Sequence, residues 1–190
     1  MKKTITAIVG LLILPSLVLA GNAVQTSGSQ FNKWGISFTV PAPWLPSDKE
    51  AALGEQFQRN ATDVQLTHIA AWSTADGRTY MVLTIGRWRS GRVSQMSEIL
   101  SENQSENKLQ LANGFCTYVN RCEITKVSGR DCVVNDANSR GGGRMITYTL
   151  VSGSDQVMFT WMFRDASRYA QLKTAIDGVL ETLLIASAKQ

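Results

Sequence analysis

Two segments near the C-terminus constrain the fold more than any others. Met145 to Val151 and Val157 to Phe163 each alternate in polarity, are rich in aromatic and β-branched residues, and are joined by Ser152-Gly153-Ser154-Asp155. Alternation with a period of two marks a strand with one buried face, and a short run of small polar residues between two such strands marks an antiparallel turn. Beyond them, Tyr169, Leu172, Ile176, Val179 and Leu183 recur at three-four spacing. That spacing predicts a helix, capped by Asp165, with one continuous apolar stripe to bury.

The rest of the chain supplies more elements of both kinds. Gly35 to Val40 alternates, with Ile36, Phe38 and Val40 on one face, and Pro41-Ala42-Pro43-Trp44 stops it. Ser47-Asp48-Lys49-Glu50 matches a capping box and predicts a helix that buries Leu53 and Phe57 and ends near Asn60. Strands at His68 to Trp72 and Thr79 to Ile85 flank Asp76-Gly77, a hairpin signal, with Met81, Leu83 and Ile85 on the apolar face. A helix is predicted from Ser94 to about Leu109, with Met96, Ile99 and Leu100 inward. Ile124 to Val127 and Asp131 to Val134 read as arms of another hairpin turning at Ser128-Gly129-Arg130, and Asn135 to Gly143 as a polar, glycine-rich loop. The order is strand, helix, two strands, helix, several strands, helix. Strands joined mostly by hairpins make a largely antiparallel sheet with helices on its faces, an α+β layered domain.

The N-terminus bears on destination. Lys2 and Lys3 precede an apolar run from Ile5 to Leu14, Pro15 breaks it, and Val18 and Ala20 are small residues at the −3 and −1 positions. This is the layout of a secretory signal peptide, residues 1–20, cleaved after Ala20. A membrane span needs about 20 apolar residues, more than this run offers. Residues 21–30 are then a flexible leader, 31–186 a single domain and 187–190 a tail. The expected location is periplasmic or secreted, with no integral membrane segment after cleavage. The net charge of +4 includes the two leader lysines, so the mature chain is too near neutral for an argument from charge to nucleic acid.

The strand and helix order, with the phrase Gly35-Ile36-Ser37-Phe38-Thr39-Val40-Pro41 and Trp44, the turn Val127-Ser128-Gly129-Arg130, and the closing strand pair plus amphipathic helix, resembles the PsbP-like superfamily. That group includes the extrinsic photosystem II protein PsbP, a nuclear import factor that binds the GTPase Ran, and bacterial envelope proteins of the DcrB type. The resemblance spans roughly residues 31–185. It implies an α/β/α sandwich with an antiparallel sheet, on a scaffold whose members mostly bind proteins. It carries over no catalytic residue.

No catalytic motif stands out. There is no Gly-x-Ser-x-Gly elbow, and His68, the one histidine, falls within an apolar strand. Asp131 and Asp136 flank one segment as ordinary surface acids would. Asp136-Ala137-Asn138-Ser139-Arg140-Gly141 begins like a calcium loop, but Arg140 stands at position five and Thr147 at position twelve, where a carboxylate is required. Arg140-Gly141-Gly142-Gly143-Arg144 lacks the Lys-Ser/Thr and the helix of a phosphate loop and reads as a connection between strands. No Cys-x-x-Cys pair exists, so no metal site and no cofactor is expected.

The cluster singled out as a candidate binding site is Arg87, Trp88, Arg89 and Arg92. Three guanidiniums and an indole stand just before a helix N-terminus, where positive charge is disfavoured and an anionic partner would relieve it. The plain alternative is that Trp88 packs and the arginines are solvated. Glu98, Glu102 and Glu106 repeat at i,i+4 on the following helix, an acidic stripe or a solvated face. Of Cys116, Cys122 and Cys132, the pair Cys116 and Cys122 is expected to form a disulfide through a turn at Asn120-Arg121, with Cys116 and Cys132 the main alternative pairing. Cys132, placed opposite Val127, is expected to be a quiet core thiol.

The leading expectation is an exported, non-enzymatic protein-binding or accessory protein of the bacterial cell envelope, its partner a protein of unspecified identity. The alternatives are a periplasmic immunity protein against a secreted toxin, a hydrolase with an unrecognised site, and a carrier of a small anionic ligand.

Overall fold

The computed structural model describes residues 28–60 and 63–186. The expected signal peptide and the 187–190 tail lie outside the described residues. Two sheets and three helices make up the domain. β4 (Val64–Ser73) and β5 (Thr79–Trp88) form the hairpin expected around Asp76-Gly77. β8 (Arg144–Ser152) and β9 (Asp155–Phe163) form the one read from the C-terminal alternation. β5 runs past the expected end at Ile85 because Gly86 leaves room for a neighbour. A Cβ at position 86 would stand 2.6 Å from Val64 Cγ1.

β6 (Cys116–Val127) and β7 (Arg130–Ser139) complete a seven-stranded antiparallel sheet in the order β3-β4-β5-β9-β8-β7-β6, where β3 is the two-residue strand Leu45–Pro46. β1 (Ser29–Lys33), β2 (Ile36–Val40) and β10 (Leu184–Ile185) make a second, three-stranded sheet. β1 begins inside the stretch expected to be a leader. Its one buried residue, Phe31, gives too weak a pattern to read as a strand, and pairing with β2 decides it.

α1 (Glu50–Asn60) packs on β4, and α2 (Met96–Ala112) on β6 and β7, covering one face of the large sheet. α3 (Arg168–Glu181) and the small sheet cover the other. The main core lies there: Ile36, Phe38 and Val40 from β2 meet Met81, Leu83, Phe159 and Trp161 from the large sheet and Leu172, Ile176 and Val179 from α3. Tyr80 and Val82 alternate to the opposite face and pack with Leu53 of α1. This is an α+β sandwich of helices on an antiparallel sheet, as the element order implied.

Several local expectations are corrected. The hairpin between β6 and β7 turns on two residues, Ser128 (φ 48°) and Gly129 (φ 78°), both left-handed as a type I′ turn demands. Val127 therefore faces Arg130, and Cys132 faces Thr125 instead of Val127. Asn135 to Ser139 is strand, paired with β6 and, as far as Asn138, with β8, and only residues 140–143 form the loop. No turn occurs at Asn120-Arg121. β6 runs through, with local register shifts, so Cys116 lies opposite Ser139 and Cys122 opposite Asn135. Four residues of extended β7 separate those positions, about 13 Å, beyond the reach of a disulfide. All three cysteines are free thiols.

Glu50 does not close a capping box. Its carboxylate accepts the Ala71 N–H at 3.3 Å, while Ser47 Oγ accepts that of Lys49 at 3.2 Å. Asp165 caps only the entry to α3, accepting the Ser167 N–H at 2.9 Å.

Candidate binding surface

The arginine cluster is brought together, but not as three free cations. Arg87 Nε donates to Asp155 Oδ1 at 2.7 Å, across the β5–β9 ladder. Trp88 is buried, its Nε1 donating to Ser94 Oγ, and Gln156 Nε2 donates to that same oxygen at 2.6 Å. Arg92 lies 3.7 Å over the Trp88 ring and reaches Glu98 at 3.6 Å and Glu102 at 3.0 Å. The basic connection and the first half of the acidic stripe thus answer each other within one molecule. Glu106 accepts from Gln110 one turn on.

Part of the glycine-rich loop is engaged within the molecule. Gly142 N–H donates to Ser139 O at 3.3 Å, and Gly142 O accepts the Ala166 N–H at 2.8 Å. The two acids flanking β7 part company. Asp131 pairs with Lys126 at the surface, whereas Asp136 is buried and held bidentately by Arg144, whose guanidinium also lies 3.7 Å over Tyr169. Among the described residues no group of three or more His, Cys, Asp and Glu side chains could hold a metal ion, and no helix is long and apolar enough to cross a membrane.

A different surface carries features that sequence reading missed. β1 and β2 are joined by a two-residue turn, Trp34-Gly35, with Lys33 paired to Ile36. Trp34 has φ 57° and Gly35 φ 73°. Glycine adopts that conformation freely, but a tryptophan in it costs about 1–2 kcal/mol. The residue is nonetheless 40 % exposed. Its ring stands 4.6 Å from the His68 ring and 5.5 Å, edge-on, from Phe31, which stacks in turn on Phe38 in the core. An aromatic chain therefore backs an exposed indole.

His68 arrives beside Trp34 because β4 shifts register between Leu66 and His68. Its Nδ1 is 3.0 Å from Thr67 Oγ1. His68, Thr67, Ile69, Gly54, Glu55 and Arg59 line an open depression of about 550 Å³ between α1 and β4. Gln58 also lines it and stitches the irregular strand, donating to Val64 O at 3.0 Å and accepting the Leu66 N–H at 2.8 Å. The surface offers an aromatic anchor, an imidazole, one carboxylate and one guanidinium around a shallow basin. Such a mixture suits recognition of a protein surface, where tryptophan and arginine side chains dominate contact energies.

Two sheets and three helices in this arrangement define the PsbP-like fold. The chain is similar to cyanobacterial PsbP (CyanoP) from Synechocystis sp. PCC 6803, solved in solution, with TM-score 0.56 and 11 % identity over 88 % of this chain and 97 % of that one. It is also similar to a crystal structure from Bacteroides thetaiotaomicron, with TM-score 0.51 and 10 % identity over 88 % of this chain and 51 % of that one. A Pseudomonas aeruginosa protein of unknown function gives 0.47 at 12 % identity, over 86 % of this chain and 100 % of that one. No protein-family model and no curated protein sequence matches the chain. Likeness at these identities is one of fold, and a fold leaves function to its sites.

Proposed function

We propose that this chain is an exported accessory protein of the bacterial cell envelope, cleaved after Ala20, that acts in the periplasm by engaging another protein. Its contact surface is the Trp34 turn and the depression beside His68. The observation that carries this reading is the exposed Trp34 ring on a left-handed backbone. Strain of this kind persists where the surrounding structure over-determines it and gathers at functional positions. The Arg87, Trp88, Arg89 and Arg92 cluster is the competing contact on the same molecule.

Site-specific photo-crosslinking in intact cells tests the reading. A crosslinker at position 184, on the strand β10 that pairs beside the turn, should trap a discrete partner in the periplasmic fraction. Trp34→Asn, which suits the left-handed turn, should abolish trapping while leaving the fold intact. The triple variant Arg87→Ala, Arg89→Ala, Arg92→Ala should leave it unchanged. The opposite pattern transfers the contact to the arginine cluster, and no adduct with either variant or the parent defeats the protein-binding reading. Intact mass of the exported chain should show a start at Gly21, and retention of Met1 would defeat export by cleavage.

A further inference from the structure

The two edges of the large sheet are finished differently. At the β4 edge the chain covers its own backbone. Gln58 takes Val64 O and Leu66 N–H, Glu50 and Ser47 take the N–H and C=O of Ala71, and β3 pairs with Trp72 and Ser73. At the other edge β6 has no such cover. The two-residue turn makes Val127 and Arg130 a hydrogen-bonded pair, so Thr125 and Glu123 also turn their amides toward β7. Lys126, Ile124 and Cys122 then direct theirs outward, where no side chain or strand among the described residues meets them. An unpaired edge of this length is a template for another strand.

We propose that a second copy of this chain adds its own β6 to this edge, antiparallel, about a two-fold axis through Cys122. Charge selects that register. Arg121 and Glu123 flank Cys122 and already lie on one face, Arg121 Nε donating to Glu123 Oε1 at 2.5 Å. Two-fold pairing at Cys122 sets Arg121 against Glu123 of the partner and Glu123 against Arg121 of the partner, so each charge faces its opposite. An axis at Glu123 would instead set Glu123 against Glu123 of the partner, like against like. An axis at Ile124 would leave Arg121 facing Val127. Directly opposed charges of unlike sign stabilise a strand pair, and like charges destabilise it. Ile124 and Tyr118, 43 % and 62 % exposed, lie on the same strand and would be partly covered. This edge is at the opposite side of the sheet from Trp34 and His68, so self-association leaves the proposed partner surface open.

Sedimentation equilibrium of the mature chain at tens of micromolar should give twice the monomer mass. Arg121→Glu should weaken the dimer about tenfold or more by placing carboxylates opposite one another. Adding Glu123→Arg to that variant should restore it, since the pair is inverted but still complementary. Opposed Cys122 residues of a hydrogen-bonded pair stand about 5.5 Å apart at Cα, within disulfide reach. Treatment with diamide should therefore link the dimer through Cys122: two thiols give up two electrons and two protons to the azo group, which becomes the hydrazine, and one S–S bond forms. A monomeric parent chain, a dimer indifferent to Arg121→Glu, failure of the inverted pair to restore a folded protein's dimer, or a bridge mapped to Cys116 would each overturn the proposal.

Discussion

The guanidinium of Arg92 lies 3.7 Å above the ring of Trp88 and joins it to the acidic residues of α2. Arg92 sits beside a helix N-terminus, an unfavourable place for a cation. The Trp88 ring and the carboxylates of Glu98 and Glu102 compensate, and Arg92 in turn separates two like charges that would otherwise repel at i,i+4. The three charged groups are partly exposed, so screening keeps the ion pairs small. The indole beneath is the structural anchor.

Ser94 is the acceptor for two buried donors, Trp88 Nε1 and Gln156 Nε2. Ser94→Ala should cost about 2–4 kcal/mol, because both donors lose their partner away from water. Ser94→Thr keeps the hydroxyl and should recover most of that stability. Urea denaturation of the three proteins checks both values.

Asp136 and Arg144 form a pair with little exposure, and Asn120 Nδ2 donates to Asp136 at 2.9 Å. Asp136→Ala should destabilise by about 3–5 kcal/mol, since it leaves a guanidinium buried without its counterion. The double variant Asp136→Leu, Arg144→Met should be far closer to the parent. Thermal denaturation that finds the double variant no better than the single one would contradict the account.

Asp76 couples stability to pH. Partial burial acts to raise its pKa, but hydrogen bonds from the Thr74 hydroxyl, the Arg78 N–H and the Arg168 guanidinium outweigh this and hold it below the ordinary 3.8. A carboxyl with a lowered folded pKa stabilises fully above its unfolded value and loses that contribution as pH falls through the folded one. Arg168→Ala should therefore narrow the stability difference between about pH 5 and about pH 3, measured by urea midpoints.

The thiols should differ in reactivity. Burial pushes the Cys132 pKa up to about 11, and its side chain is inaccessible. Cys122 is half-buried, and burial raises its pKa also, against a contact from Asn107. Since the thiolate is the nucleophile, a colorimetric thiol reagent near neutral pH should label Cys122 slowly and Cys132 only after denaturation. Peptide mapping identifies the labelled residue.

Local pattern was sufficient for the elements whose signal is local. β8, β9, α3 and the β4–β5 hairpin carry their alternation or stripe in consecutive residues, so period alone revealed them. β1 and the second half of β7 did not. Asn135, Asp136 and Asn138 read as loop residues until Asn107, Arg144 and Asn120, distant in sequence, supply their hydrogen bonds. The arginine cluster was visible as composition, but its partners Asp155, Glu98 and Glu102 come from other elements. Trp34 gave no signal because its turn exists only once β1 is known to be a strand.

Local apolar periods were enough for the layered α+β class, because a hairpin sheet and an amphipathic helix have no other way to bury their faces. Which polar groups are spent and which remain available depends on how the elements pack. Pairing with β7 carries β6 through Asn120-Arg121 as a strand, keeping Cys116 and Cys122 apart. Strand order placed β6 at an open edge, and a register shift in β4 brought His68 against Trp34. Those outcomes depend on contacts between residues far apart in the chain, and a local pattern holds no information about them.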